Sequence, residues 1–356
     1  MKKLKIVVYA ITKNEEKFVD RWVDSMSEAD EIYVLDTGST DKTVKMLKKR
    51  GVNVFVKKFK NWRFDKARNE SLNLVPKNTD LCVCTDLDEV FEPGWRKKLE
   101  DNYDNSTRIR YNYNWSLDEN NKPLVNFYLD KIHIRNGYKW THPVHEVLMP
   151  IDIEEKFLTI DSMTLNHYPD SSKSRGSYLP LLELSVLEDP LDDRNMHYLG
   201  REYMYYGKWN ECIETLIKHL NLRSATWRDE RSASMRFIAR SYKKLGRNNE
   251  AEMWYKLAHK EAQHLREPLV ELSILYSEEG KWDKVIKYLI KAKKISLKYK
   301  SYINEVFAWD TTIDDLLSVA YFNLGLKEEA LFYINRVLKD KPNDERVLKN
   351  KELIEL

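Results

Sequence analysis

The stretch LCVCTDLDE, residues 81–89, is an apolar run with the character of a β-strand, and it ends in three carboxylates. A buried strand of this kind belongs to a parallel sheet, and open α/β sheets bind ligands at the carboxyl ends of their strands. Acidic side chains this close together raise one another's pKa unless a cation compensates their charge. Asp86 and Asp88 offer the hard oxygen ligands that Mg²⁺ or Mn²⁺ prefers. The alternative is an acidic loop that caps a helix starting at Glu92-Pro93-Gly94-Trp95.

Length and composition suit two globular domains. The chain has 356 residues, and its formal net charge of +3 is too small to indicate nucleic acid as the main partner. Three cysteines cannot form a disulfide framework, which favours a reducing, cytoplasmic setting. The short apolar run at residues 6–11 is interpreted as a first strand rather than as part of a signal peptide. No segment approaches the ~18 apolar residues of a membrane span, so we expect no transmembrane segment.

Strands and helices alternate over the first 90 residues. Apolar runs predict strands at about 4–11, 32–35, 52–56 and 81–84, with helical patterns at about 15–27, 41–50 and 66–74 between them. This alternation predicts an α/β fold with a doubly wound, mostly parallel sheet. Three polar segments, 12–15, 36–41 and 86–89, follow its strands and should meet at the ligand-binding edge.

Asp36 ends the second predicted strand. An acid at such a position can accept hydrogen bonds from the base or ribose of a nucleotide. The alternative is turn chemistry, because the segment Asp36-Thr-Gly-Ser-Thr-Asp41 is rich in residues that cap helices and turns. Capping is the preferred interpretation for Ser39 and Asp41, whereas a binding role is preferred for Asp36.

Five short motifs follow one another in residues 4–90, namely Ile11-Thr-Lys-Asn-Glu-Glu16, Asp30-Glu-Ile32, Asp36-Thr-Gly-Ser-Thr-Asp-Lys-Thr43, Ala67-Arg-Asn69 and Asp86-Leu-Asp-Glu89. In this order and at this approximate spacing they resemble the signatures of family-2 glycosyltransferases with the GT-A fold. The resemblance implies a nucleotide-sugar donor whose diphosphate is held by Mn²⁺ or Mg²⁺ on Asp86 and Asp88. It also implies that Thr12, Glu15 and Asp36 contact the nucleoside and that Arg68 lies near the phosphates. A guanidinium group matches phosphate oxygens well.

Residues 105–135 have the strict alternation of a long antiparallel hairpin. Tyr111, Tyr113 and Trp115 share one face of its first strand. Because aromatic residues favour strands in any case, we expect all three to belong to the core rather than to form a sugar platform.

Two histidine segments follow the hairpin, His145-Glu146 and His167-Tyr168-Pro169. Their order does not suit a zinc hydrolase, which needs His-Glu-x-x-His on a helix. They are similar to segments that follow the Asp-x-Asp site in the tetratricopeptide-bearing branch of the family, although Pro169 stands where a glycine is common. By this resemblance His167 is a further metal ligand and Glu146 is the catalytic base. Without the resemblance, an ordinary core or surface histidine would be the preferred interpretation of His167.

The sequence turns helical after about residue 175. A Tyr-x-x-x-Gly-x-x-x-x-small frame occurs four times, at Gly207, Gly246, Gly280 and Gly325, at intervals near or above the ~34 residues of a tetratricopeptide repeat. We therefore predict a catalytic domain at residues 1–175 and an all-α, tetratricopeptide-like repeat domain at 176–356, through which the chain could pair as a homodimer. The lysine-rich segment 281–300 is interpreted as a solvated helix face.

Together these features predict a metal-dependent glycosyltransferase that moves a hexose, with UDP-glucose as an example donor. Inversion of the anomeric centre is implied by the family resemblance alone. Asp88, with Asp86 directly or through water, would hold the metal that stabilises the departing diphosphate, and Glu146 would deprotonate the acceptor. The repeats favour a peptide or protein acceptor at Ser or Cys, as in bacterial glycosyltransferases that modify bacteriocin peptides; a cell-surface glycan is the alternative acceptor. A non-catalytic scaffold is a further alternative. A sugar nucleotidyltransferase is disfavoured because no glycine-rich loop follows the first strand.

Overall fold

The computed structural model describes residues 3–170 and 176–356. The chain forms two compact units: the first is Met1–Ser185 with Lys300–Tyr302, and the second is Val186–Tyr299 with Ile303–Leu356. The predicted domain boundary at residue 175 lies outside the described residues and stays a prediction.

The first unit begins with alternating strands and helices, as predicted. The strands are β1 (Ile6–Thr12), β2 (Glu31–Asp36), β3 (Asn53–Val56) and β4 (Leu81–Cys84), and the helices are α1 (Val19–Met26), α2 (Thr43–Lys49) and α3 (Phe64–Leu74). All four strands are parallel, in the order β3-β2-β1-β4. β1 and β4 are buried along their whole length, as expected for strands covered on both faces.

Four further strands extend this sheet. They are β5 (Glu89–Phe91), β6 (Arg108–Leu117), β7 (Pro123–Ile134) and β10 (Phe157–His167), and they complete an eight-stranded mixed sheet in the order β3-β2-β1-β4-β7-β6-β10-β5. β6 and β7 form the predicted antiparallel hairpin, and β7 pairs antiparallel with β4. Helix α4 (Trp95–Asn102) precedes β6, and a separate small hairpin consists of β8 (Tyr138–Thr141) and β9 (Val147–Pro150).

The core of the first unit lies on both faces of the sheet. One apolar cluster joins β1, β4 and α1 through residues such as Val8, Val83 and Trp22. The other contains Tyr9 and Trp140 on the opposite face. Helix α1 buries its apolar residues at the spacing of one helical face, which fixes it against the sheet.

The expectation that three aromatic side chains of β6 share the core is wrong for Trp115. Tyr111 and Tyr113 are buried, but Trp115 is 48% exposed. The pairing of β6 with β7 shifts register between Asn114 and Ser116. Such an irregularity breaks the alternation of side chains, and here it turns Trp115 away from the core.

The acidic segment after β4 does not cap the next helix. Helix α4 follows Gly94, and the backbone N–H groups of Gly94 and Arg96 donate to the carboxylate of Glu28 at 2.6 and 3.0 Å. The alternative interpretation of Asp86 and Asp88 as capping residues is therefore wrong.

The second unit is helical. The helices are α5 (Tyr178–Glu188, which begins in the first unit), α6 (Asp193–Tyr205), α7 (Trp209–Asn221), α8 (Arg228–Lys244), α9 (Asn248–Glu261), α10 (Glu267–Glu278), α11 (Trp282–Lys293), α12 (Thr312–Asn323), α13 (Lys327–Asp340) and α14 (Glu345–Glu355), with a 3₁₀ turn at Val306–Ala308. Helices α6 to α13 form four consecutive helical hairpins, and in each hairpin a short turn that contains a glycine joins the two helices. The predicted fold class, an α/β sheet followed by tetratricopeptide-like repeats, is confirmed.

Each of these four turns is closed in the same way. The frame glycines all have positive φ, and the residue after each glycine donates its N–H to the carbonyl of the frame tyrosine at 2.9 Å. This is the hydrogen-bond pattern of a Schellman motif, which favours glycine at its left-handed position. The small residue five positions after each glycine is buried where the paired helices meet. The Tyr-Gly-small frame therefore encodes the helical hairpin itself.

Helix α11 buries Val285, Leu289 and Ala292, while the lysines at 284, 287 and 291 are exposed, in agreement with a solvated face. No helix within the described residues combines the length and the apolar character needed to cross a bilayer.

Candidate active site

The three polar segments predicted to form part of the site lie at the carboxyl ends of β1, β2 and β4. Thr12 pairs with Asp36 across β1 and β2, and β4 runs beside β1 on its other side. The parallel pairing therefore brings the three polar segments to one edge of the sheet, as the sequence predicts. Asp86 and Asp88 lie on the turn between β4 and β5.

Arg68 connects two of the predicted site residues. It lies on α3, and its side chain is 3% exposed. Its Nη2 donates to Asp86 Oδ1 at 2.7 Å, and its Nε donates to Glu146 Oε1 at 2.8 Å. The guanidinium group of Arg68 thus fixes the position of Asp86 relative to Glu146. A planar group with several N–H donors is well suited to bridge two carboxylates.

Lys131 is a second cation in the site, and the sequence analysis did not identify it. It lies on β7, and its Nζ is 3.4 Å from Asp86 Oδ2 and 3.5 Å from Glu89 Oε1. Glu89 also accepts hydrogen bonds from the Tyr113 hydroxyl at 2.9 Å and from the backbone N–H of Asp86 at 2.8 Å. Charge compensation for Asp86 and Glu89 therefore comes from the protein itself, whereas the sequence had indicated only a metal ion.

Burial and neighbouring charges shift the pKa values of Asp86, Glu89 and Lys131 in opposite directions. Burial acts to raise the pKa of Asp86, but Arg68 and Lys131 outweigh it and hold that pKa well below its usual range. Burial dominates at Glu89 and raises its pKa. Burial acts to lower the pKa of Lys131, yet Glu89 and Asp86 together raise it. Asp86 and Lys131 therefore stay charged at physiological pH.

Asp88 and His167 form a separate pair. His167 Nε2 is 3.5 Å from Asp88 Oδ2, and the Tyr168 backbone N–H donates to the Asp88 carbonyl at 2.8 Å. The other ring nitrogen, His167 Nδ1, donates to the carbonyl of Trp115 at 3.0 Å. Metal-binding histidines commonly donate their second N–H in this way, which directs Nε2 toward the ion. An oxygen of Asp88 and Nε2 of His167 therefore fit a divalent metal ion.

Trp115 covers this pair. Its ring stacks on the His167 ring, with centroids 4.6 Å apart and planes inclined by 20°. The register shift in β6 thus places an exposed aromatic surface beside the candidate metal ligands. The alternating pattern of β6 gave no signal for this, because a bulge depends on the pairing partner rather than on the strand itself.

The predicted nucleoside-binding residues Thr12, Glu15 and Asp36 are buried, and their side chains form hydrogen bonds within the protein. Thr12 donates its hydroxyl to Glu15 at 2.8 Å. Asp36 Oδ1 accepts from the backbone N–H groups of Gly38 and Ser39 at 3.0 Å each, and Asp36 Oδ2 accepts from the Ser39 hydroxyl. The structure therefore shows Asp36 in the turn role of the alternative interpretation, and its role in binding a nucleoside stays a prediction.

Ser39 and Asp41, in the loop after β2, also form hydrogen bonds with the loop after β1. Ser39 Oγ accepts from the N–H of Asn14 at 2.8 Å, and Asp41 accepts from the N–H groups of Thr43 and Glu16. Asn14 itself has positive φ. The capping roles predicted for Ser39 and Asp41 are confirmed.

Glu146 is presented by a loop with an unusual backbone. His142 and His145 both have positive φ, at 74° and 51°, and the Pro143 carbonyl accepts from the N–H of Phe64 at the start of α3. A non-glycine residue at positive φ stores local strain that surrounding contacts must hold. The loop between β8 and β9 thus brings Glu146 to Arg68, its partner on α3.

Comparison with known proteins identifies the first unit. Residues 7–150 match the family model described as Glycosyl transferase family 2. The chain carries a family-2 glycosyltransferase domain. The chain is 32% identical over 108 residues to uncharacterised glycosyltransferases of Rickettsia bellii and Rickettsia typhi, a match that covers 30% of this chain and 35% and 36% of those proteins. The chain thus spans only about a third of the length of these relatives.

The chain is also similar to solved structures, of which two follow. A crystal structure of MamA is 18% identical and has a TM-score of 0.39, covering 50% of this chain and 99% of that chain. The C-terminal part of a TPR repeat-containing protein from Cytophaga hutchinsonii is 14% identical and has a TM-score of 0.41, covering 50% and 64%. The repeat architecture of the second unit is argued here from its own helices and turns.

Proposed function

We propose that the protein is a metal-dependent, inverting glycosyltransferase that moves a hexose from a UDP-sugar to a Ser or Cys side chain of a peptide or protein. The observation that carries the proposal is the arrangement at the carboxyl edge of β4, where the Asp88–His167 pair lies beside the Arg68 cluster that contains Asp86 and Glu146. The family-2 domain supports a nucleotide-sugar donor.

Asp88 and His167 are the proposed direct ligands of Mn²⁺ or Mg²⁺. A bound divalent ion would stabilise the negative charge that develops on the departing diphosphate. Asp86 would contribute through water or to the nucleoside, because Arg68 and Lys131 already occupy both of its oxygens. Lys131 is less buried than Arg68 and adds positive charge at the same edge.

Glu146 is the proposed base. Arg68 engages Oε1 of Glu146, and this fixes the direction in which the carboxylate can accept a proton from the acceptor. The acceptor oxygen or sulfur would attack the anomeric carbon as the bond to the diphosphate breaks, so that one displacement inverts that carbon. Arg68 acts as a positioning residue, since its burial leaves little room for direct contact with phosphate.

The proposed acceptor rests on the second unit. Stacked helical hairpins present extended surfaces of the kind that bind peptides, which a small sugar acceptor would not need. Contact between two such surfaces would also give a homodimer. A glycan acceptor is the competing outcome of the experiment below.

Calorimetric titration with UDP and GDP, with and without Mn²⁺, tests the donor and the metal together. We expect metal-dependent binding of UDP that Asp88→Asn and His167→Gln weaken at least tenfold. Asp101→Asn is the matched control, because Asp101 is an exposed acid on α4 that forms an ion pair with Lys97. Binding of neither nucleotide under any condition would contradict the proposal and favour the non-catalytic scaffold. Where UDP binds, mass spectrometry of peptides and glycans incubated with UDP-hexoses then distinguishes the two acceptor classes.

A further inference from the structure

A second group of possible metal ligands lies inside the helical unit. His197 on α6, His219 on α7 and Glu230 on α8 each offer one ligand atom, and these atoms lie within 4.8 Å of one another. The two histidines are at most 1% exposed, and Glu230 is 5% exposed. None of the three belongs to the site at the edge of the sheet.

The spacing of these groups suits a small tetrahedral ion. His219 Nε2 lies 3.4 Å from Glu230 Oε1. Two ligands of a tetrahedral Zn²⁺ ion, at the usual Zn–N and Zn–O distances, are about 3.4 Å apart. This separation is long for a hydrogen bond, and His219 Nε2 is a buried ring nitrogen that makes none in the described structure. A buried polar atom without a hydrogen bond is costly unless something else binds it.

Ser234 orients both rings. Its Oγ is 2.7 Å from His197 Nδ1 and 3.0 Å from His219 Nδ1. A hydroxyl oxygen can accept from both rings at once, and both Nε2 atoms then carry lone pairs. Two such lone pairs beside a carboxylate repel it, and a cation bound between them would relieve this repulsion. Ser234 is thus the outer hydrogen-bond partner that metal-binding histidines require.

We propose that His197, His219 and Glu230 bind a structural Zn²⁺ ion that joins helices α6, α7 and α8. Two imidazole nitrogens and one carboxylate oxygen are a donor set that Zn²⁺ accepts, with a fourth position left for water or another ligand. Because the ligands come from three successive helices, the ion would stabilise the first helical repeat.

The test uses the full chain after treatment with a chelator, in an Asp88→Asn/His167→Gln background that removes the ligand pair of the first unit. We expect one equivalent of Zn²⁺ to bind and to raise the Tm, and Co²⁺ in its place to give the visible absorption of a tetrahedral site. His219→Gln and Glu230→Gln should each lower the Zn²⁺ affinity at least 100-fold. Ser234→Ala keeps all three ligands and should lower the affinity by about 10- to 100-fold.

His259→Gln is the matched control, since His259 is a half-buried histidine of α9 outside the cluster. This variant should bind Zn²⁺ as the background protein does. Circular dichroism of each variant before titration separates loss of ligand from loss of fold. If the ligand variants do not fold, the test is the Zn²⁺ titration of the Asp88→Asn/His167→Gln background protein. The proposal is overturned if that protein forms no one-to-one complex with Zn²⁺. Binding that survives both His219→Gln and Glu230→Gln in folded protein overturns it equally.

Discussion

Arg68 is the residue on which the geometry of the candidate active site most depends, because it joins Asp86 and Glu146. We predict that Arg68→Met destabilises the first unit by about 3–5 kcal/mol, since it removes a buried charged partner from Glu146 and Asp86, of which Asp86 still keeps Lys131. Arg68→Lys should cost less, because an ammonium keeps the charge but cannot bridge both acids. Urea unfolding measures both variants. Lys97→Met is the control: it breaks an exposed i,i+4 ion pair and should lower the free energy of unfolding by less than about 0.5 kcal/mol. If Arg68→Met and Lys97→Met lowered that free energy equally, the bridge made by Arg68 would not be structural.

His133 makes the stability depend on pH. Its Nδ1–H donates to the Ile134 carbonyl at 2.7 Å, and its Nε2 accepts from the Tyr9 hydroxyl at 2.9 Å. Burial lowers the pKa of His133 to about 3. Below the unfolded pKa of about 6.5, the unfolded chain binds a proton that the folded chain does not, so stability falls as the pH drops from about 6.5 towards 3.

We therefore predict that His133→Gln reduces the slope of unfolding free energy against pH by about 1.4 kcal/mol per pH unit in that window. The variant itself will be less stable at pH 7, so the slope rather than the absolute value is the quantity to compare. Urea unfolding at several pH values between 4 and 7 provides it. Parallel curves for wild type and variant would mean that His133 is protonated in the folded protein.

At the level of single residues, the sequence identified acids and histidines better than their partners. Asp86 and Asp88 stand out because of their close spacing, and His167 stands out only through the resemblance to a known family. Lys131 does not stand out in the sequence, because a lysine in an amphipathic strand ordinarily faces solvent. Only the pairing of β7 with β4, which joins Ile132 to Val83, brings it to the acids. Contacts of that kind depend on strand order, which a local pattern does not contain.

Among the elements, strand β6 shows how a local irregularity can supply a functional surface. Its register shift exposes Trp115, whose ring stacks on His167. We predict that Trp115→Ala lowers Mn²⁺-dependent UDP affinity by less than tenfold, because the ring is lost while the backbone carbonyl that orients His167 remains. Trp115→Phe should retain most of the affinity. Calorimetry measures both, and a loss as large as that of His167→Gln would mean that the indole itself binds the donor.

Helix α6 offers a test of packing between paired helices. Alanine normally stabilises a helix relative to glycine by about 1 kcal/mol. At Gly200, however, an added Cβ would lie 2.3 Å from Leu216 Cδ2 and 2.4 Å from its Cγ on α7. We predict that Gly200→Ala destabilises the second unit by about 1–3 kcal/mol.

The double variant Gly200→Ala/Leu216→Ala should be less destabilised than the sum of the two single variants, because the smaller side chain at 216 makes room for the new methyl group. Thermal or urea unfolding of both single variants and the double variant gives the coupling free energy. Strict additivity of the two single effects would contradict the proposed contact. The sequence alone could not indicate this crowding, since Gly200 lies outside the Tyr-Gly-small frame.

For the whole molecule, the sequence predicted the two kinds of architecture but not all of their parts. The first four strands and the four helical hairpins follow from local periodicity and glycine turns. β5 has only three residues, which is too short for a periodic signal. The position of β10 between β6 and β5 depends on pairings with strands far away in sequence.

Separate apolar cores should make the two units respond separately to substitution. The clusters around Val83 and Tyr9 belong to the first unit, and the cluster around Leu272 belongs to the second. Native-state hydrogen exchange resolves the opening free energy of each region. We predict that Arg68→Met lowers protection in β1, β4 and β7 and leaves α8 to α13 unchanged, whereas Gly200→Ala lowers protection in α6 to α8 and leaves the sheet unchanged. Equal loss of protection in both units from either substitution would show that the chain opens as one cooperative body, and the stability changes predicted above would then belong to the whole chain.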